Sequence, residues 1–147
     1  MSGSVKKLAL LAVYCWSFGP LAGSVTGFFG VILYCLVING LRGMPGWALG
    51  NIVIGVALGL CFKRTRTMKN RALASALEIA VIVASVALGI LVVKSETESL
   101  LYTQPFLVRA AKNSYAFGAD VFMLIVSLPI CRILDKQAKR MFPALTE

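Results

Sequence analysis

Residues 8–41 form a run of 34 positions without a charged side chain, and Gly19 and Pro20 interrupt it near the middle. A single α-helix of this length would be about 50 Å long, whereas the hydrocarbon core of a bilayer is roughly 30 Å thick. Proline lacks a backbone donor and glycine lets the chain turn. The run therefore predicts two apolar helices that meet at Gly19-Pro20, in a chain that is embedded in a membrane.

The composition supports this interpretation. Apolar residues make up 59% of the 147 positions, charged residues only 14%, and the mean hydropathy is +0.84. Soluble domains carry about a quarter charged residues, and a chain this short cannot hide so much apolar surface inside one water-soluble core. We expect an integral membrane protein.

Four later segments are near the length that a spanning helix needs, namely residues 21–41, 47–62, 73–93 and 116–134. The expected fold is an all-α, polytopic transmembrane helix bundle, in a single transmembrane domain of residues 1–147. It has four clear spans plus a short N-terminal membrane helix at residues 8–18. Those eleven residues reach only about 16 Å, so two arrangements stay open. They span the membrane with Lys6 and Lys7 outside, or they form a re-entrant or interfacial helix.

The net charge of +9 is concentrated beside the apolar segments. Five basic residues lie within residues 63–71, and four more, Arg132, Lys136, Lys139 and Arg140, lie at the end of the last span and after it. By the positive-inside rule, both basic clusters are predicted to be cytoplasmic, with residues 94–115 forming an outer loop. Basic residues placed in this way do not indicate a nucleic-acid-binding surface.

Residues typical of active sites are missing from the sequence. Histidine is absent, the four cysteines are dispersed among apolar residues, and no phosphate-binding glycine-lysine loop occurs. No serine or cysteine has a candidate base beside it. We therefore expect no enzymatic activity, no cofactor and no metal site.

Small residues recur at four-residue spacing on several segments, which allows close helix packing in lipid. The spacing has two interpretations, either tight packing within the bundle or a docking surface for another membrane subunit. The candidates for partner docking are Gly19, Gly23, Gly27, Ala72, Ala76, Ala80 and Ala84.

Three stretches occur in an order and spacing that form a recognisable pattern. They are Phe18-Gly19-Pro20-Leu21-Ala22-Gly23 with the following Thr26-Gly27-Phe28-Phe29-Gly30, then Trp47 with Gly50-Asn51 and Ile54-Gly55, and finally Asp120-Val121 with Leu128-Pro129-Ile130. This pattern resembles the substrate-binding S components of energy-coupling-factor (ECF) type vitamin transporters. The likeness covers about residues 17 to 140, but one N-terminal helix of that family is lacking here.

The resemblance implies a function in the bacterial cell membrane. An S component captures a vitamin-like small molecule on the outer side of the membrane. It associates with a transmembrane coupling subunit and two cytoplasmic ATPases, which hydrolyse the ATP. The chain itself would then be a binding subunit for ATP-driven uptake.

Polar and aromatic side chains at the outer helix ends are the candidate substrate-binding residues: Asn39, Arg42, Trp47, Asn51, Tyr102, Gln104, Arg109, Asn113, Tyr115 and Asp120. For the aromatic residues, an interfacial belt is the alternative interpretation. Asn51 and Asp120 lie inside spans, where a polar group needs a partner or a cavity. We expect these two to contribute to one outer-facing cavity.

Two other functions are compatible with the sequence. The first is an accessory structural subunit of a large membrane complex, with no ligand of its own. The second is an ion-coupled carrier that uses Glu78 and Asp120, although pairing of Glu78 with Arg71 or a neighbouring subunit is the simpler account of that acid.

Overall fold

The computed structural model describes residues 11–39 and 44–141, and within them every regular element is helical. Helix α1 comprises residues 11–18. The others are α2 (Pro20–Tyr34, continued by a π-helical segment, Cys35–Asn39), α3 (Met44–Thr65), α4 (Arg71–Val86, continued by a π-helical segment, Ala87–Lys94), α5 (Ser95–Tyr102) and α6 (Phe106–Met141). Because α4, its π-helical segment and α5 follow without a break, they form one helical rod.

Four helical stretches are long and apolar enough to cross a membrane: Pro20–Val37, Pro45–Thr65, Arg71–Tyr102 and Phe106–Leu134. This confirms the predicted all-α bundle with four spans. The chain is a multi-pass integral membrane protein. The end of the bundle that holds residues 63–71 is called the inner end below, and the opposite end the outer end, after the predicted topology.

The predicted outer loop at residues 94–115 is wrong. The third span continues to Tyr102 and the last span begins at Phe106, so only residues 103–105 turn. The turn is made by Thr103, which adopts a left-handed conformation with φ 51°, and by Pro105 just before α6. At about 1.5 Å per residue, the third span is roughly 48 Å long and exceeds the hydrocarbon core.

The predicted break at Gly19-Pro20 is confirmed. Gly19 has φ +84°, a conformation that favours glycine, and Pro20 is the first residue of α2. The Gly19 N–H donates to the Cys15 carbonyl at 3.1 Å, and the Gly19 carbonyl accepts from the Gly23 N–H at 3.2 Å. Both helices are therefore hydrogen-bonded up to the corner, and the chain reverses within one residue.

Helix α1 packs inside the bundle. It returns along α2, because Cys15 lies against Gly23 and Leu11 lies against Gly27. A single apolar cluster joins buried residues of α1, α3, the third span and α6, namely Leu11, Ala12, Cys15, Trp16, Ile54, Leu58, Phe62, Ile82, Val86, Ile90, Leu124, Leu128 and Cys131. The described part of the predicted N-terminal membrane helix is thus a core element, and residues 8–10 lie outside the described residues.

Glycines let α3 pack closely against a neighbour on each side. At one crossing, Gly50 contacts the Gly89 carbonyl of the third span. At the other, Gly55 lies against Gly23 and Gly59 lies against Pro20, both in α2. A Cβ atom at any of these α3 positions would overlap with backbone atoms of the neighbouring helix. The backbones can therefore approach closely on both sides of α3, as small residues permit in membrane helices.

An ion pair between the buried Glu78 and the partly exposed Arg132 joins the third span to α6 near the inner end. The Arg132 guanidinium donates to Glu78 Oε2 at 2.6 Å and to the Ser75 hydroxyl at 2.8 Å. The Glu78 side chain is only 2% exposed. The prediction that Glu78 pairs with Arg71 or with a neighbouring subunit is therefore wrong, because its partner is Arg132 of the same chain.

Candidate ligand site at the outer end

A buried polar cluster lies where the third span meets α6 near the outer end. Glu98 is its centre, with a side chain that is 8% exposed. Its carboxylate lies 3.7 Å from an Arg109 guanidinium nitrogen and 3.9 Å from the Lys94 ammonium. It also accepts a hydrogen bond from the Asn113 amide at 3.2 Å. One carboxylate therefore faces two cations and an amide between the helices.

The π-helical segment of the third span directs the polar residues of this cluster towards α6. The Asn113 amide also donates to the Ser95 hydroxyl at 2.9 Å, and that hydroxyl donates to the Ile90 carbonyl at 3.2 Å. Ile90 and Ser95 are both fully buried although they are five positions apart in the sequence. A π-helical turn accommodates this five-residue spacing. The extra residue keeps Ser95 and Glu98 on the face that packs against α6.

Aromatic rings cover the two cations. The Lys94 ammonium lies 5.4 Å from the centre of the Trp47 ring, and the Arg109 guanidinium lies 4.6 Å from the centre of the Tyr102 ring. Trp47 in turn makes an edge-to-face contact with Tyr34, at 5.8 Å between ring centres. Each cation–π contact contributes about 0.5–1 kcal/mol or more when it is shielded from water. The aromatic contacts connect α2 and α3 to the polar cluster.

Asp120 is also part of the surroundings of this cluster. It lies on α6, is 5% exposed, and interacts electrostatically with Lys94. The structure therefore brings five of the ten predicted substrate-binding residues to one place, around Lys94 and Glu98. They are Trp47, Tyr102, Arg109, Asn113 and Asp120.

Two other predicted substrate-binding residues, Asn51 and Tyr115, lie apart from this cluster. Asn51 is 5% exposed, and its amide donates to the Gly27 carbonyl of α2 at 3.5 Å. Asn51 and Asp120 thus have partners in different helices, which gives no support to the expected shared cavity. Tyr115 is 77% exposed. Asn39 ends the π-helical segment of α2, and Arg42 lies outside the described residues.

Gln104 lies in the turn before α6, at the edge of the cluster. Its backbone carbonyl accepts a hydrogen bond from the Ser99 hydroxyl at 2.6 Å, which closes the turn. Three buried polar atoms near this end of the molecule have no hydrogen-bond partner among the described residues, namely Gln104 Oε1, Arg109 Nε and Asn51 Oδ1. Such groups destabilise a protein unless something else binds them.

Sequence reasoning missed three residues of the cluster, Lys94, Ser95 and Glu98. Two signals pointed to them. Lys94 and Glu98 have the i,i+4 spacing of residues on one helix face, and no glycine or proline follows the apolar run until Pro105. From these signals, the sequence could have predicted that the helix continues beyond Lys94, with Lys94 and Glu98 on one face near the membrane surface.

The candidate docking residues divide into two groups. Gly23 and Gly27 are buried against α1 and α3, and Gly19 forms the corner, so these glycines belong to the packing within the chain. Ala72, Ala76, Ala80 and Ala84 are all exposed on α4. The alanine stripe, defined as these four residues, therefore remains available to another membrane subunit.

No protein-family model, curated protein or solved structure matches the chain. Within residues 11–39 and 44–141, no group of three histidine, cysteine, aspartate or glutamate side chains is placed to hold a metal ion. The candidate site is therefore defined by its geometry, as a buried cluster of charged, amide and aromatic groups.

The predicted sidedness can be measured by cysteine labelling. Thr67 and Thr103 are exposed residues in the turns at the inner and outer ends, and the four native cysteines are buried. A membrane-impermeant maleimide added to intact cells is expected to label Thr103→Cys but not Thr67→Cys, with the unsubstituted chain as the background control. The opposite pattern would place the polar cluster on the cytoplasmic side.

Proposed function

We propose that this chain is the membrane-embedded substrate-binding subunit of an ECF-type transporter, which captures a vitamin-like small molecule for ATP-driven uptake. The observation that carries the proposal is the convergence of Trp47, Tyr102, Arg109, Asn113 and Asp120 around Lys94 and Glu98. Binding pockets for small molecules combine aromatic surfaces with a few oriented polar groups, and this cluster contains both.

The chemistry of the cluster suits a flat, anionic ligand. Glu98 contacts Lys94 and Arg109 at 3.9 and 3.7 Å, which are longer than charge-assisted hydrogen bonds of about 2.7–2.9 Å. The Arg109 Nε has no hydrogen-bond partner among the described residues. A ligand carboxylate could therefore bind Arg109, while the Trp47 and Tyr102 rings stack on a heterocycle.

Transport requires partners, and the alanine stripe supports that part of the proposal. We propose that α4 docks through it onto the transmembrane coupling subunit, which two cytoplasmic ATPases drive in the bacterial cell membrane. Small side chains let two helix backbones approach closely, which gains packing energy in lipid. The exposure of all four alanines leaves this face free for such a contact.

A second candidate function is an accessory structural subunit with no ligand of its own. The dense hydrogen bonding among Ser95, Glu98 and Asn113 favours it, because these groups already bind one another. Under this alternative, the polar cluster would hold the third span against α6.

Ligand retention distinguishes the two functions. The protein, purified from its native membrane in mild detergent, is expected to carry a small molecule that mass spectrometry detects. Arg109→Gln should lower its retention at least tenfold, because a buried charge-assisted hydrogen bond to the ligand contributes about 1.5–3 kcal/mol. Lys112→Gln is the matched control, since it removes an exposed positive charge from the same helix.

The accessory function makes the opposite prediction for the same preparation. Large membrane proteins would co-purify with the chain, no small molecule would be detected, and Arg109→Gln would change neither result. A variant with Phe at both Ala76 and Ala80 tests docking in the same experiment. Coupling proteins should be lost from this variant but not from Val126→Phe, which adds bulk to an exposed position of α6.

A further inference from the structure

A cavity of about 390 Å³ lies at the inner end, on the side opposite to the proposed ligand site. The α1–α2 corner forms one wall and the C-terminal end of α3 forms the other. Gly19 and Gly59 are among its lining residues, and Gly59 packs directly on Pro20. The cavity therefore lies where the chain reverses and α3 approaches α2.

The cavity has an apolar floor and a basic rim. Cys15, Pro20 and Phe18 contribute to the floor, and Phe18 is 71% exposed at the edge of the bundle. Lys63 and Arg66 line the rim, where the span of α3 ends at Thr65. Since the apolar span of α3 ends beside it, we expect this cavity at the depth where lipid headgroups meet acyl chains.

Trp16 connects the rim to the protein core. It lines the cavity and is only 5% exposed, and the Arg66 guanidinium lies 5.3 Å from the centre of its ring. The indole Nε1 is buried and has no hydrogen-bond acceptor among the described residues. The indole ring therefore holds Arg66 at the rim. In the described residues the indole N–H has no acceptor, and the cavity that Trp16 lines also carries the positive charges of Lys63 and Arg66.

We propose that this cavity binds one anionic phospholipid, with its phosphate between Lys63 and Arg66 and its glycerol and first acyl carbons over Pro20 and Phe18. The two cations recognise the negative charge, and basic pockets on the cytoplasmic side of transmembrane helices bind anionic headgroups. The apolar lining residues, with Phe18 exposed beside them, favour a lipid over a water-soluble phosphate. The proposal does not depend on the transport function.

Native mass spectrometry of protein from mixed vesicles of phosphatidylglycerol and phosphatidylcholine tests the proposal. The unsubstituted chain should retain one phosphatidylglycerol in preference to phosphatidylcholine. Combining Lys63→Gln with Arg66→Gln should lower that preference about 25-fold, since each basic residue near the surface contributes roughly a factor of five. The matched control combines Lys69→Gln with Arg71→Gln, which removes two exposed charges from the same surface but not from the cavity.

Two results would overturn the proposal. One is equal retention of the two lipids by the unsubstituted chain, and the other is an equal loss in the cavity variant and its control. Inorganic phosphate, added to protein in the same mixed vesicles, identifies the source of the anion. If millimolar phosphate binds and displaces phosphatidylglycerol, the ligand of the cavity is a soluble anion, and the lipid proposal is overturned as well. Lys63→Gln alone, at an exposed position, provides a variant that should fold normally.

Discussion

Replacing Glu98 with leucine is expected to lower the free energy of unfolding by about 3–5 kcal/mol, the usual cost of removing one partner from a buried ion pair. The carboxylate is buried between Lys94 and Arg109, and it accepts a hydrogen bond from Asn113. Without it, two cations and an amide remain between helices with no acidic partner at the centre. Unfolding in detergent, followed by the loss of helical circular dichroism, measures the effect.

Glu96 supplies the control for this prediction. It is an exposed carboxylate two residues earlier on the same helix. Glu96→Leu should change stability by less than about 0.5 kcal/mol, as is usual for surface substitutions. Glu98→Gln, which keeps the shape and one acceptor, should fall between the two. Similar losses for Glu96→Leu and Glu98→Leu would show that the cluster does not hold the third span to α6.

Replacing Gly50 with valine is expected to cost about 3 kcal/mol, at the upper end of the range for overpacking. Even the Cβ atom at this position would overlap with the Gly89 carbonyl, which is backbone and cannot move as a flexible side chain would. The third span must then separate from α3. Unfolding in detergent should show the loss, and crosslinking between the two helices should weaken.

Gly118→Val is the matched control, because Gly118 lies within α6 and a Cβ there would meet nothing within 4 Å. The same β-branched side chain is thus added to a helix with and without an obstacle. The control should be close to neutral or slightly stabilising. If both variants lose the same stability, the loss does not come from the contact between α3 and the third span.

The sequence predicted the existence of the spans better than their ends. Apolar runs identify helices in a membrane because lipid cannot satisfy backbone polar groups. The third span was predicted to end at residue 93 because Lys94, Glu96 and Glu98 follow. Charge marks a membrane boundary only when it is not neutralised by another helix. On α6, Arg109 neutralises Glu98 and Asn113 donates a hydrogen bond to it. The sequence around residues 94–98 alone cannot predict this contact with another helix.

The same limit applies to the functional residues. Polar residues inside spans were predicted to have partners, which is correct for Asn51 and for Glu78, since a polar group in lipid is costly. The identity of each partner was not predictable, because Gly27 and Arg132 are distant in sequence and come together only through helix packing. Small-residue spacing likewise could not tell the internal glycines from the exposed alanines.

The positions of the two ionic clusters also bear on the bilayer thickness that suits this protein. Asn113 in the outer cluster and Arg132 in the inner ion pair are 19 positions apart on α6, or roughly 28 Å along the helix. Between them α6 is mostly apolar, with Asp120 as its one charged residue, and this length is close to the thickness of an average hydrocarbon core. A thicker bilayer would draw the ionic groups towards the acyl chains, and a thinner one would make the helices tilt, each at a fraction of a kcal/mol per Å of mismatch. The summed cost over several Å would therefore favour a bilayer of about this thickness for the chain over thicker or thinner ones.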